Sequence, residues 1–179
     1  MSTGPAPLRR PQPDECPSYY HRYIERVPDG NIVRTLASQV EDSLRLLRAV
    51  PTEREGFRPS EDKWSVREVV GHVVDTERVM VYRALSIARG DRAPLPSMEQ
   101  DDWARASNAA VRRLSDLADE LEAVRRATVL FFAGVDGTAA DRAGTASGFG
   151  FRVRAFPWII AGHELHHRAI LREKYFVGA

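Results

Sequence analysis

Apolar side chains recur at intervals of three and four residues along most of the chain, which is the spacing of one face of an α-helix. The pattern predicts four long amphipathic helices, over residues 31–49, 66–89, 108–132 and 153–175. Runs of alternating apolar and polar residues are too short to indicate strands. The chain is therefore predicted to be all-α and to fold as a single four-helix bundle.

Capping residues define the ends of two of these helices. Ser65 at the N-cap and Glu68 three positions later form a capping box, and Gly90 is the expected C-terminal stop of the same helix. Pro157 is compatible only with the first turn of the last helix, where its missing N–H has no partner to lose. The glycine-rich stretch GTASGFGFR, residues 144–152, is predicted to be a linker before that helix.

The N-terminal segment differs in composition from the rest of the chain. Residues 1–17 contain five of the 11 prolines, so residues 1–18 are predicted to be a flexible proline-rich leader and residues 19–179 a single domain. The leader has no apolar core of the kind found in signal peptides, and no apolar run reaches transmembrane length. A cytoplasmic location is the expectation.

Composition and charge exclude several classes of protein. The 179 residues are 43% hydrophobic and 28% charged, with a net charge of +1, and the arginines alternate with acidic residues. A nucleic-acid-binding protein more often carries a concentrated basic stripe, so nucleic acid is not an expected partner. Cys16 is the single cysteine, which rules out an intrachain disulfide.

Histidines near the C-terminus are the first candidates for chemistry. His163 and His167 are four residues apart on the last predicted helix, so they share one face and could chelate one ion. The string His163 to His167 also satisfies H-E-x-x-H, the zinc-protease signature, which usually takes its third ligand from further downstream. Only 12 residues follow His167, and no edge strand is predicted that could hold a peptide. A protease is therefore not predicted.

A third ligand must then come from upstream, and His72 on the second predicted helix is the candidate. Facing helices are where bundles build metal sites, and three histidines leave coordination positions open, as catalytic sites do. The open face is expected between the helices of His72 and His163, capped by the loop around Gly148 and Gly150. The competing interpretation is that these histidines only form hydrogen bonds in the core.

Three further residues are candidates for contacts to the ligands. Asp75 could orient an imidazole or could be a solvated acid on the helix face. Glu164 precedes Arg168 by four residues, so a surface ion pair is the expected role, ahead of general-base catalysis. His166 lies on another side of its helix and is a poorer partner for His163.

Two segments resemble the DinB-like (YfiT-like) family of metal-binding four-helix bundles. Residues 64–77, WSVREVVGHVVDTE, resemble the pattern W-S-x-x-E-x-x-x-H-x-x-D-x-E, and residues 162–170, GHELHHRAI, resemble the H-x-x-H-H of the last helix. The resemblance implies an up-down-down-up bundle with one divalent ion, and it maps the metal ligands onto the following residues: His72, His163 and His167. The chain departs from the family at Ile170, where many members have Gln.

The resemblance also implies the kind of activity. Related proteins are thiol-dependent S-transferases or isomerases that act on a small electrophile with a thiol such as bacillithiol or mycothiol. The expected partners are thus a small-molecule substrate and a low-molecular-weight thiol, with no nucleic acid and no membrane, and a homodimer is a further expectation. Zinc or nickel is the implied ion, with iron and manganese as alternatives. Catalytic residues are not assigned.

Two other functions stay open on the sequence. One is a non-enzymatic bundle that binds a metal or a small ligand, as a stress-response accessory protein would. The other is a metal-assisted hydrolase with Glu164 or Asp75 as its base.

Overall fold

The structure is a computed structural model that describes residues 8–176. Its α-helices are α1 (His21–Ile24), α2 (Ile32–Arg48), α3 (Val66–Ala88), α4 (Gln100–Ala106), α5 (Leu114–Ala133), α6 (Gly137–Asp141) and α7 (Ala155–Ile170). Its strands are β1 (Ala143–Ala146) and β2 (Phe149–Arg152), and single 3₁₀ turns lie at Pro13–Glu15, Ser18–Tyr20, Thr52–Arg54 and Ala109–Val111. The long helices α2, α3, α5 and α7 form the four-helix bundle that the periodicity predicted.

The long connection between α3 and α5 sets the topology of the bundle. Residues 89–113 lead from the end of α3 back to the end of the bundle where α3 begins, so α5 runs parallel to α3. Gly71 lies beside Leu117 near the start of both helices, and Glu77 lies beside Arg125 further along both. The helices α2 and α7 run in the opposite direction: α2 packs against α5, α7 packs against α3, and the two also pack against each other. This is the predicted up-down-down-up arrangement.

Capping explains where α2 and α3 begin and end. The Asn31 side chain accepts hydrogen bonds from the first turn of α2. Ser65 and Glu68 form the predicted capping box at the start of α3. Gly90 follows α3 with φ +87°, a left-handed conformation that glycine adopts without steric cost and that ends the helix. Both helices match the ranges predicted from sequence.

The helix α5 begins six residues later than predicted. Asn108 has φ +53°, a left-handed conformation that cannot continue an α-helix, and a separate 3₁₀ turn follows it. The helix α7 begins at Ala155, with Pro157 in its first turn as predicted, and its α-helical part ends at Ile170. A π-helical turn, Leu171–Tyr175, continues it.

The glycine-rich stretch before α7 is an antiparallel hairpin of β1 and β2, so the prediction of no strands is wrong here. Ser147 and Gly148 at its tip have φ values of +53° and +79°, as a tight two-residue hairpin turn requires. Leu95 bridges to Ala146 on the other side of β1. Strands of four residues are too short to produce a recognisable alternation.

Residues 8–18, which composition assigned to a flexible leader, are packed against the bundle. Leu8 and Cys16 are buried in the apolar core. Arg10 donates hydrogen bonds to the carbonyl oxygens of Ile24 and Val27 at 2.8 and 2.6 Å. These side-chain contacts hold a segment that has little regular structure of its own. The rest of the predicted leader, residues 1–7, lies outside the described residues.

A buried polar layer crosses the middle of the bundle between two apolar clusters. Every long helix contributes to this layer, and its members are Gln39, Ser43, His72, Thr76, Glu77, Arg125, Thr128, His163 and Glu164. Its position halfway along the helices is where the predicted metal ligands lie. Within residues 8–176, no helix is long and apolar enough to cross a membrane.

Candidate metal centre

Three histidines from two helices converge in the polar layer. His72 comes from α3, and His163 and His167 come from successive turns of α7. The Nε2 atom of His163 lies 3.1 Å from Nε2 of His72 and 3.1 Å from Nε2 of His167. One nitrogen from each ring lies within 4.8 Å of the other two. The structure thus brings together the three residues that the sequence selected as ligands.

Hydrogen bonding alone does not account for this convergence. A ring nitrogen has either one N–H or one lone pair in the plane of the ring, so Nε2 of His163 can satisfy one neighbour at a time. Two nitrogens that bind one Zn²⁺ at about 2.0–2.1 Å and at angles of about 90–110° stand roughly 2.9–3.4 Å apart. The observed spacing of 3.1 Å fits that range. The donor set suits a divalent transition metal.

The environment keeps all three imidazoles neutral, which is the form that binds a metal. Burial lowers the pKa of His72 to about 4. Burial also lowers the pKa of His167 to about 3, and the repulsion it would feel from a protonated His72 adds to this effect. Burial also lowers the pKa of the fully enclosed His163, and the neighbouring His167 and His72 lower it further. At neutral pH the three rings therefore offer lone pairs without first losing a proton.

Packing around the ligands fixes their positions. The Trp64 ring lies against the His72 ring, with centroids 4.7 Å apart, and Thr76 Oγ1 lies 3.5 Å from Nδ1 of His72. The backbone of α7 comes so close to α1 that a Cβ atom on Gly162 would lie 2.0 Å from the carbonyl oxygen of Tyr23. Only glycine fits there, so Gly162 sets how deep His163 lies.

Glu164 is buried and is held by other side chains on the inner side of α7, away from solvent. Arg125 forms an ion pair with it at 2.7 Å, and Gln39 and Ser43 donate hydrogen bonds to its two carboxylate oxygens. The prediction of a surface ion pair between Glu164 and Arg168 is wrong, because Nη1 of Arg168 instead lies 3.7 Å from Oδ2 of Asp42. With both oxygens engaged, Glu164 is poorly suited to act as a general base.

The other carboxylate in this layer belongs to Glu77. Arg125 donates two hydrogen bonds to it, at 2.9 and 2.8 Å, in a bidentate pair that is almost completely buried. One guanidinium between two carboxylates, Glu77 and Glu164, leaves one formal negative charge in the layer that contains the three imidazoles. A cation between the imidazoles would be stabilised by that charge.

Asp75 and His166 lie apart from the three converging nitrogens. Asp75 faces α5, where it pairs with Arg78 on its own helix, so it does not orient His72 as the sequence suggested. His166 is half-buried and packs edge-on against Tyr23 and the ring of His167, with centroids 5.3 and 5.2 Å away. Its nitrogens are not part of the converging set.

The H-E-x-x-H string therefore has the geometry of a bundle site and not of a protease site. The third histidine comes from the upstream helix α3, and Glu164 faces away from the cavity beside the ligands. The β1–β2 hairpin does provide a short strand pair, which the sequence had not indicated.

A cavity of about 320 Å³ lies beside the imidazoles, and His72 and His163 form part of its wall. Val73, Met80 and Ile159 contribute apolar surface on the faces of α3 and α7. Ser147, at the tip of the hairpin, lines the same cavity next to the predicted capping position Gly148. The candidate metal site is therefore accessible to a small molecule.

Sequence reasoning missed several polar residues of this region. They are the cavity residues Tyr20, Tyr23 and Arg83, and Arg125, the buried partner of Glu77. Two of them carried a readable signal, because Arg83 and Arg125 interrupt the apolar stripes of α3 and α5 at positions that face the core. The tyrosines precede the first long helix, and no periodicity placed them near the histidines.

Fold and site together define a four-helix bundle with a three-histidine centre suited to a divalent metal. The sequence profile of the DinB superfamily matches residues 35–171 of the chain. The protein belongs to the DinB superfamily.

Two solved structures share the fold. The first is YfiT from Bacillus subtilis, described as a probable metal-dependent hydrolase with an unusual four-helix bundle topology; it is 14% identical, with a TM-score of 0.72 over 83% of this chain and 88% of that one. The second is a mycothiol-dependent maleylpyruvate isomerase, 15% identical, with a TM-score of 0.64 over 81% of this chain and 61% of that one. Among curated proteins, no sequence match to the chain is found.

Proposed function

We propose that the protein is a divalent-metal-dependent enzyme that joins a low-molecular-weight thiol to a small electrophile, or uses that thiol to isomerise it. The observation that carries the proposal is the convergence of three neutral imidazoles, two of which, His72 and His163, lie in the wall of a cavity. A closed structural site would have no such cavity beside its ligands. The isomerase that shares the fold is described as mycothiol-dependent, which supports a thiol as co-substrate.

His72, His163 and His167 would hold the ion, and zinc or nickel suits three imidazole ligands best. A divalent ion there would lower the pKa of a bound thiol or water and so supply a nucleophile at neutral pH. Trp64 and Thr76 would keep His72 in place as a ligand. In S-transfer the thiol would release its proton to solvent, its sulfur would bond to the electrophilic carbon, and the bond from that carbon to the leaving group would break, with its electron pair departing on the leaving group.

The thiol must come from outside the protein. Cys16 is buried, is not part of the cavity wall, and has its pKa raised to about 11 by burial and by the neighbouring Glu15. Hydrolysis is the competing reaction, since YfiT is described as a probable hydrolase. Glu164 and Asp75, the bases considered for it, are both engaged elsewhere, which favours a thiol that needs no protein base.

The visible spectrum of the cobalt-substituted protein tests this proposal. We expect mycothiol, bacillithiol or cysteine to change the cobalt bands, because a sulfur ligand adds charge-transfer absorption that water does not. Cys16→Ala should leave the response intact. A spectrum that no thiol changes, in protein shown to bind one cobalt ion, would contradict the transferase proposal and favour a metal-binding protein without thiol chemistry.

A further inference from the structure

Arg83 is a buried cation in the wall of the cavity. It is 3% exposed, and its Nη2 atom donates to the carbonyl oxygen of Pro96 at 2.7 Å and to Oγ of Ser147 at 2.9 Å. Both acceptors are uncharged. Among residues 8–176, no aspartate or glutamate forms an ion pair with Arg83.

The other two buried arginines of the described chain are neutralised by the protein itself. Arg125 pairs with Glu77 and Glu164, and Arg154 pairs with Glu15 and Asp141. A buried charge without a counter-charge is costly, because the protein interior solvates it poorly. The missing counter-charge of Arg83 therefore points to a ligand in the cavity.

The position of Arg83 on α3 relates it to the metal ligands. It follows His72 by 11 residues, close to three helical turns, so both side chains leave α3 on the same face, with their Cα atoms about 16 Å apart along the helix. His72 and Arg83 both line the cavity of about 320 Å³ described above. A molecule bound at Arg83 by one end would direct its other end toward the histidines.

We propose that Arg83 binds the carboxylate of a small monocarboxylate substrate whose reactive part lies beside His72 and His163. The planar guanidinium is suited to a carboxylate, and Ser147 and Tyr20 add hydroxyl groups next to it. Burial raises the pKa of Tyr20, although Arg83 partly offsets this, so the phenol stays protonated and able to donate. The role as substrate rests on the proposed function, whereas the binding of a carboxylate does not.

A monoanion fits better than a phosphate. The cavity offers one unpaired cation, and its wall also carries the carboxylates of Glu77 and the exposed Glu99, which would repel a dianion. Its volume of about 320 Å³ is at the small end of ligand pockets. The fitting ligand is therefore a short carboxylic acid with an apolar body.

Binding of simple acids to metal-free protein tests this site. In the presence of EDTA, we expect pentanoate to bind by ligand-observed NMR about tenfold or more tightly than the uncharged pentanamide, as a charged hydrogen-bonded pair implies. Butylphosphonate, which has the same four-carbon chain and is mostly a dianion at pH 9, should bind more weakly than pentanoate at that pH. Equal binding of acid and amide would overturn the proposal, and tighter binding of the phosphonate would overturn the choice of a carboxylate.

Variants separate the site from a general effect of charge. Arg83→Gln should weaken pentanoate binding about tenfold or more. Arg78→Gln is the matched control on the same helix, half-exposed and outside the cavity, and it should bind like the wild type. Unchanged affinity in Arg83→Gln, with cobalt binding intact as evidence of folding, would overturn the proposal. If that variant does not fold, the comparison of acid with amide decides.

These measurements also distinguish the two proposals. Because EDTA removes the metal, the acid–amide comparison does not depend on thiol chemistry. Loss of the carboxylate preference with an intact cobalt–thiol response would overturn the Arg83 site alone. A carboxylate preference in a protein that ignores thiols would support the Arg83 site and count against the transferase.

Discussion

At the scale of single residues, Ser65 links helix capping to the metal site. Its hydroxyl accepts a hydrogen bond from the Glu68 N–H, and Glu68 in turn accepts from the Ser65 N–H at 2.7 Å. His72 follows by seven residues, about two turns into the same helix. Ser65→Ala is expected to lower the free energy of unfolding by roughly 1 kcal/mol and to weaken metal binding.

Urea unfolding and zinc titration would measure both effects. The control is Ser38→Ala on the exposed face of α2, which should change stability by less than roughly 0.5 kcal/mol. A Ser65→Ala protein that unfolds and binds zinc like the wild type would show that the cap does not support His72.

The residues of the site could be predicted where their spacing along a single helix determines which side chains lie together. The i, i+4 spacing placed His163 and His167 together, and the apolar neighbours of His72 placed it inside the bundle. The partners of Glu164 were not predictable, because they depend on how α2 and α5 are rotated against α7. Spacing along one helix shows which residues share a face, but not which side chain of another helix meets them.

At the scale of elements, the segment before α1 is tied to the start of α7 by charge. Glu15 and Arg154 are both 6% exposed, and the Glu15 carboxylate also lies 3.6 Å from Arg152. Glu15→Gln is expected to lower the free energy of unfolding by about 2 kcal/mol, because the buried Arg154 would keep only the largely exposed Asp141 as a counter-charge. Thermal unfolding of the variant would measure this.

Glu25→Gln is a suitable control, since Glu25 is exposed and close in sequence. A Glu15→Gln protein as stable as the control would mean that residues 8–18 contribute little to the fold, in line with the flexible leader expected from composition.

The elements that the sequence did not predict were missed for a common physical reason. The long helices α2 and α3 were predicted to within a residue because periodicity and caps agree there. The hairpin and the packed residues 8–18 are short, and backbone and side-chain contacts with distant parts of the chain stabilise them. Such contacts leave no periodic pattern in the segment itself.

At the scale of the whole molecule, the depressed pKa values predict how the stability of metal-free protein depends on pH. In the unfolded chain the imidazoles take up protons near pH 6.5, but the folded chain does not protonate His72 until about pH 4 or His167 until about pH 3. Between about pH 6.5 and these lower pKa values of the folded chain, the unfolded state therefore binds more protons than the folded state. Stability should fall as the pH drops below 6.5, by about 1.4 kcal/mol per pH unit for each imidazole.

Urea unfolding in EDTA at pH 7, 6 and 5 would measure this slope. His72→Asn removes one of the titrating groups and should reduce the slope, while the acidic residues titrate equally in both proteins. An identical slope in the variant would mean that His72 titrates normally in the folded protein.

The central claim is that His72, His163 and His167 hold one divalent ion. Metal content after zinc loading and exhaustive dialysis tests it most directly, with folding of each variant checked by circular dichroism. We predict one zinc per chain in the wild type, close to none in His72→Ala, His163→Ala and His167→Ala, and close to one in His166→Ala, the matched control on the same helix. A His166→Ala protein that loses zinc as completely as His163→Ala, or a folded wild type that retains none, would contradict the account.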